Sequence, residues 1–318
     1  MATVLDNIRE SISKSNSILI LTHENPDGDA IGSSLGFMNA LKKIGKEVTV
    51  LIPTINPMYS FLPGFNEIKS EIEDYKNYDL CVALDSSDLE RLHVCKPYFE
   101  LIENTIVIDH HITNQNYADV NYVNAVASST CQNLIVVLAA MDISIDKDIA
   151  ECIYTGILTD TGGFRYNTQP ETFEFAGMLA ETGIDISKIY RLVFDMTTER
   201  RTRLLSRALN RLELLEDGKI AYTYITADDV EELQNEDGDQ EGIVNYGRNI
   251  EGVEVSIFVR EKDDKYKVSL RANEYVDVSQ ISAKFAGGGH LRAAGFEMAM
   301  SLEQTKQAVV EEIKKQLK

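Results

Sequence analysis

The first third of the chain alternates short, unbroken apolar runs with stretches whose apolar positions recur at helical spacing. Ser17–Thr22 (SILILT) reads as a strand, and a polar loop follows it. In residues 31–44, Ile31, Leu35, Met38 and Leu41 return every three or four positions, and Gly45 supplies a stop. Residues 47–52, 80–84 and 105–108 are further strands with helical segments around them. Unbroken apolar strands separated by helices predict an α/β fold, its sheet mainly parallel and covered by helices on both faces. From residue 129 to residue 194 the pattern is largely helical.

Residues 197–215 read as one long helix with Leu205, Ala208, Leu212 and Leu215 as its apolar stripe. Arg200, Arg203, Arg207 and Arg211 run beside the stripe. Such a row attracts phosphate, but a solvated face paired with Glu199, Glu213 and Glu216 is its commoner meaning. Strand patterns return at 219–226, 253–260 and 266–271, and helical ones at 227–233, 278–285 and 301–317. The organisation expected is therefore a domain at 1–196, a linker helix at 197–216 and a smaller α/β domain at 217–318.

Composition narrows the function. The 318 residues suffice for two domains of ~150 each. A net charge of −20 repels a polyanion, so long duplex nucleic acid is excluded as a partner while short nucleotides at one site are not. The apolar runs at 18–21 and 134–141 fall short of the ~20 residues that span a bilayer, so no membrane partner is expected. Asp6, Arg9 and Glu10 interrupt the first apolar stretch, unlike a signal peptide. Cys81, Cys95, Cys131 and Cys152 show no CxxC spacing and read as reduced thiols of a cytoplasmic protein. A homodimer is compatible with all of this.

The chemistry-bearing residues are unevenly placed. His23 opens HENPDGDA after the first strand, Asp85 ends the third, and Asp109-His110-His111 follows the fourth. All lie at carboxyl ends of parallel strands, where ligands bind in open α/β sheets. In His23-x-x-x-Asp27-x-Asp29, Pro26 stiffens the turn and Gly28 is expected to let the backbone reverse, so that both aspartates reach neighbouring positions. Asp85 is then placed to bridge them, and His110 adds an imidazole. Carboxylates and imidazole without thiolate suit Mn²⁺ or Mg²⁺. Each aspartate alone could be a helix cap; three such groups at successive strand ends argue for cations. Asp160, in TDTGGF, is balanced between joining them and closing a helix ahead of Gly162 and Gly163. Downstream, Gly287-Gly288-Gly289-His290 reads as a loop whose N–H groups approach an anion, with Arg271 and Arg292 as further donors. His93 has no motif around it, and the acidic run at 236–241 reads as a solvated loop.

Taken in order, these motifs resemble the DHH phosphoesterase family over residues 18–296, nearly the whole chain. The GGGH run with its flanks, SLRANEYVDVSQISAKF before and LRAAGF after, is similar to the family's associated C-terminal substrate-binding domain. The resemblance implies an active site in a cleft between the domains. It implies two Mn²⁺ ions, one held by His23, Asp27 and Asp85, the other by Asp29, Asp85, His110 and Asp160, which places Asp160 among the ligands. It also implies His111 at the scissile phosphate, Asp109 orienting its neighbours, and Arg271, Gly287, Gly288, Gly289, His290 and Arg292 gripping a terminal phosphate. The activity implied is two-metal hydrolysis of short oligoribonucleotides, linear dinucleotides such as pApA and pGpG, and 3′-phosphoadenosine 5′-phosphate (pAp). Alternatives are a stand-alone cyclic di-AMP or pApA phosphodiesterase, a pyrophosphatase, and a nucleotide sensor without turnover. Ala286 stands where many members carry a fourth glycine, which bears on substrate preference.

Overall fold

The computed structural model describes residues 3–236, 238–262 and 265–318. The chain divides into two compact units, residues 1–196 and 197–318. In the first, β1 (Ser17–Thr22), β2 (Glu47–Val50), β3 (Leu80–Leu84), β4 (Thr105–Asp109) and β5 (Val120–Val123) form an all-parallel sheet in the order β2-β1-β3-β4-β5. Alternate residues of each strand enter different cores, as the pleat requires. Ile18 and Ile20 face the helices Val4–Lys14, Gly28–Lys43, Thr130–Ala140 and Lys147–Asp160, whereas Leu19 and Leu21 face Leu92, Cys95 and Phe99. The half-buried edge strand β5 was not legible, because VNYV lacks the apolar continuity of the others. The strand order reverses direction between β1 and β3, which makes their carboxyl ends the switch point of the sheet.

The second unit carries a six-stranded sheet in the order β10-β11-β9-β8-β7-β6. Its strands are β6 (Glu213–Leu215), β7 (Ile220–Ile225), β8 (Val255–Lys262), β9 (Lys265–Ala272), β10 (Gly288–His290) and β11 (Ala293–Met298). All its pairs are antiparallel except β7–β8. Helices Val278–Lys284 and Leu302–Lys314 cover one face through Val278, Ile281, Val309 and Ile313. The other face is capped at its β7–β8 side by Leu204, Ala208, Ile243 and Val244, which meet Ile225 and Phe258.

The expected linker helix is corrected here. The helix runs from Glu199 to Asn210 only and packs within the second unit through Leu204 and Ala208. Arg211 is its C-cap and pairs with the Asp229 carboxylate, after which the chain enters β6 and pairs with β7. Leu215, expected on the helical stripe, is instead a strand residue. The arginine row is paired, though with other partners than expected: Arg200 meets Asp239 (2.8 Å), Arg207 meets Glu232 (3.0 Å), and only Arg203–Glu199 (2.7 Å) matches. Glu213 and Glu216 pair with Lys306 and Lys314. Asp239 and Glu236 therefore dock Arg200, while Asp237 of that acidic run lies outside the described residues.

No helix of the described residues is long and apolar enough to cross a membrane. All four cysteines are buried and free.

Candidate active site

The loop after β1 turns at Asn25, whose φ of 55° is left-handed, and not at Gly28. Gly28 is already the first residue of a helix capped by Asp27, which accepts from the N–H groups of Asp29 (3.0 Å) and Ala30 (3.1 Å). What Gly28 contributes is room: a Cβ there would lie 2.4 Å from the Thr159 hydroxyl. Gly32 sits as tightly over the Cys152 carbonyl oxygen, 2.5 Å from its would-be Cβ, and Gly156 over Cys131 Sγ at 2.2 Å. These glycines let Gly28–Lys43 and Lys147–Asp160 approach closely enough to bring Asp160 to Asp29. Their signal was present as the four-residue spacing of Gly28, Gly32 and Gly36.

Three groups of donor atoms then converge, each within 4.8 Å of one another: His23, Asp27 and Asp85; Asp29, His110 and Asp160; Asp85, His110 and His111. Asp85 stands at their centre. Its carboxylate lies 3.6 Å from His23 Nε2, 3.7 Å from His110 Nε2 and 3.7 Å from His111 Nδ1, and accepts from the Thr130 hydroxyl at 2.9 Å. The residue holds a left-handed φ of 56°, an uncommon conformation for a side-chain-bearing residue and a form of stored strain. Burial alone would raise the Asp85 pKa, but the three histidines outweigh it and hold it below the usual carboxylate value.

Asp29 and Asp160 behave oppositely. Asp29 is buried and accepts from the N–H groups of Thr130 (2.6 Å) and Cys131 (2.9 Å) at a helix start, yet burial together with Asp85, Asp160 and Asp27 pushes its pKa well up. Asp160 is lifted to about 6, chiefly by burial, against the pull of His110, whose Nε2 is 3.4 Å away. It also occupies the last position of its helix, where the macrodipole disfavours a negative charge. Gly162 (φ 58°) and Gly163 (φ 75°) close the helix behind it, and the Asp160 carboxylate lies within reach of Asp29 and His110.

Asp109 is fully buried and ends β4; one oxygen meets His111 Nδ1 at 2.8 Å and the other accepts from Asn114 Nδ2 at 2.7 Å. That carboxylate raises the His111 pKa against the effect of burial. Asn133 Nδ2 donates to the Asp109 carbonyl at 2.9 Å. Thr130, Asn114 and Asn133 were not singled out in the sequence, because residues of their type cap and pad many helices without a ligand nearby.

The donor set fits divalent cations. Buried carboxylates whose charge is resisted by burial and by each other are stabilised by a positive ion, and oxygen with imidazole nitrogen suits a hard or borderline one. Burial, with Asp29 beside it, pushes the Cys131 thiol pKa well up.

In the second unit the glycine run is an edge strand and not the loop expected. Gly288 pairs with Gly295, Gly289 with Ala294 and His290 with Ala293, and residues 291–292 make the turn. Gly287 and Gly289 are demanded by packing, since a Cβ would lie 2.3 Å from the Gly295 carbonyl and 2.4 Å from that of Ala293; only Gly288 faces open space. His290 is exposed and Arg271 half-buried. Arg292 turns back to donate to the carbonyls of Val276 (2.8 Å) and Glu274, so it braces the 274–276 turn.

The histidines and aspartates gather at the switch point of an open parallel sheet, where such sheets bind their ligands, and the second unit carries a glycine-rich edge. The DHH family N-terminal domain matches residues 17–157 and the DHHA1 domain matches residues 217–318. The bifunctional oligoribonuclease and PAP phosphatase NrnA of Thermus thermophilus is 34% identical over 94% of this chain and 90% of its own. The protein of the same name from Bacillus subtilis is 27% identical over 90% of each chain. A crystal structure of an exopolyphosphatase-related protein from Bacteroides fragilis has a TM-score of 0.86 at 30% identity, covering 98% of this chain and 96% of that one. The chain belongs to the DHH phosphoesterase family.

Proposed function

We propose that this protein hydrolyses phosphoester bonds in short oligoribonucleotides, linear dinucleotides and pAp, releasing nucleoside 5′-monophosphates. The observation that carries the reading is the convergence of buried His23, Asp29 and Asp85 with half-buried His110 and Asp160 and exposed Asp27 at the switch point. The near-full-length similarity to two oligoribonuclease and PAP phosphatase proteins supports the substrate class.

Two divalent cations, of which Mn²⁺ best suits mixed carboxylate and imidazole donors, would be held by His23, Asp27 and Asp85 and by Asp29, Asp85, His110 and Asp160. Bound there, they supply Lewis acidity toward the phosphoryl oxygens and lower the pKa of water. The chain's own groups do the rest. A carboxylate can only accept, so His111 Nδ1 carries the proton shared with Asp109, and its Nε2 is left to serve the reacting phosphate. With its pKa raised by Asp109, His111 is suited to donate a proton to a departing oxygen or to stabilise charge on the phosphate. Asn114 fixes Asp109, and through it the ring of His111. In the second unit Arg271 and His290 hold a terminal phosphate.

The test is AMP release from pAp, pApA and 5′-labelled oligomers of two, three and five nucleotides with Mn²⁺ present, beside cyclic di-AMP and pyrophosphate. The reading expects turnover of pAp and the short linear substrates. Tight binding without product, or faster release of phosphate from pyrophosphate, overturns it.

A further inference from the structure

The register of the second sheet lines up residues that lie far apart in sequence. His290, Ala293, Arg271 and Ser256 are direct cross-strand partners on β10, β11, β9 and β8, so all four share one face. The neighbouring row on that face is Gly288, Gly295, Ser269 and Phe258. This face is opposite the core-facing Leu270, Ala294 and Phe296. Beyond Phe258 and Ser256 its residues are half-buried (Ser269, Arg271, Ala293 and Gly295) or exposed (Gly288 and His290), and the floor at Gly288, Gly295 and Ser269 carries hardly any side chain. A Cβ on Gly288 would meet nothing within 4 Å.

One wall of this shelf is the short helix Ile243–Arg248. Gly247 lies directly on Ser256, its would-be Cβ 2.4 Å from the Ser256 hydroxyl, and the Arg248 carbonyl accepts from Asn273 Nδ2 at 2.9 Å. Since Ser256 is the cross-strand partner of Arg271, this seating puts Arg248 beside Arg271. Burial and the neighbouring Arg248 both push the Arg271 guanidinium below its usual pKa. Among the described residues, neither arginine has a carboxylate within ion-pair distance, and the one hydrogen bond of the Arg271 guanidinium goes to the carbonyl of the adjacent Leu270 (2.9 Å). Two half-buried cations side by side repel each other, and an anion between them removes that repulsion.

We propose that Arg248 is a further substrate-binding residue, which together with Arg271 and His290 holds the terminal phosphate monoester of the nucleotide over the bare floor of Gly288, Gly295 and Ser269, in the role the sequence assigned to Arg292. The inference rests on the reading of the second unit as the phosphate-holding one. It does not need the hydrolytic assignment, because it can be read by binding alone.

The experiment compares binding of AMP and adenosine to the full-length protein by calorimetry, without divalent metal, for wild type, Arg248→Ala, Arg248→Gln and Arg248→Lys. Wild type is expected to prefer AMP. The Ala and Gln variants should lose tenfold to a hundredfold in AMP affinity, on the order of one charge-assisted contact, with adenosine binding unchanged. The Lys variant should recover part of the loss. With metal and pApA, Arg248→Gln should raise KM and leave kcat near wild type, the pattern of lost ground-state binding. AMP affinity equal to wild type in both the Ala and Gln variants overturns the proposal, as does an equal fall for AMP and adenosine. Absence of hydrolysis by wild type with AMP binding intact would count against the proposed function and leave this inference standing.

Discussion

Asp85 shows how much one residue is made to do. It closes a strand while keeping its N–H on the Ile108 carbonyl (3.1 Å), takes a left-handed backbone, and faces three imidazoles. Its neighbour Thr130 is the lever for testing this without removing a donor. Thr130→Val deletes the 2.9 Å hydroxyl contact to Asp85 and preserves shape. Outer contacts of this kind are worth about 10–100-fold in metal affinity or activity. Mn²⁺ titration of the purified variant should show that loss, with an unaltered thermal midpoint; unchanged Mn²⁺ affinity would separate Thr130 from the site. A second residue-scale expectation concerns Ala286, whose φ of 58° puts a Cβ in the left-handed region at a cost of about 1–2 kcal/mol. Ala286→Gly should therefore raise the urea midpoint modestly, the relief being partly offset by the greater freedom of glycine when unfolded. A lower midpoint would mean that the methyl packs to advantage.

At the scale of elements, the second unit is pinned where its first helix ends. Asp229 is buried and paired with Arg211, and it also accepts from the Thr226 N–H (2.9 Å) and hydroxyl (3.0 Å). Burial would lift its pKa, but these donors hold it down at about 2. A depressed carboxylate stabilises the fold above its unfolded pKa of ~3.9, and that contribution disappears as pH falls through the folded value. Asp229→Asn should accordingly be less stable than wild type at neutral pH, and the gap between their urea midpoints should narrow from pH 5 down to pH 2. A constant gap would assign the effect to packing. In the first unit, Gly28, Gly32 and Gly156 remove side chains where two helices cross, and it is this close crossing that turns a helix-terminal Asp160 into a neighbour of Asp29.

The whole molecule carries a net charge of −20, and its cation-rich features are local. Long-range repulsion should grow with the charge of the substrate, and salt should screen it. Second-order rate constants measured at low ionic strength are expected to fall from dinucleotide to pentanucleotide, with the longer substrate gaining more from added salt. The opposite salt trend would indicate that a positive surface steers the strand.

The sequence alone determined the α/β class and marked the strand ends and the residues, His23, Asp27, Asp29, Asp85, His110 and Asp160, whose side chains converge in the candidate active site. It could do so because buried parallel strands are unbroken apolar runs and because their carboxyl ends, marked by HENPDGDA, Asp85 and DHH, are where such sheets bind ligands. Only the tertiary structure decided what those residues contact: that Thr130 and Asn114 brace the acids, that Gly28 makes room and does not turn the chain, and that the helix expected to reach Leu215 stops at Asn210. It also decided that Gly288–His290 is an edge strand, that Arg292 turns back onto the Val276 and Glu274 carbonyls, and that the charge of Arg248 acts on Arg271. Periodicity along a chain reports which side of an element is buried; register and helix crossing are set by partners tens or hundreds of residues away, and no local pattern encodes them.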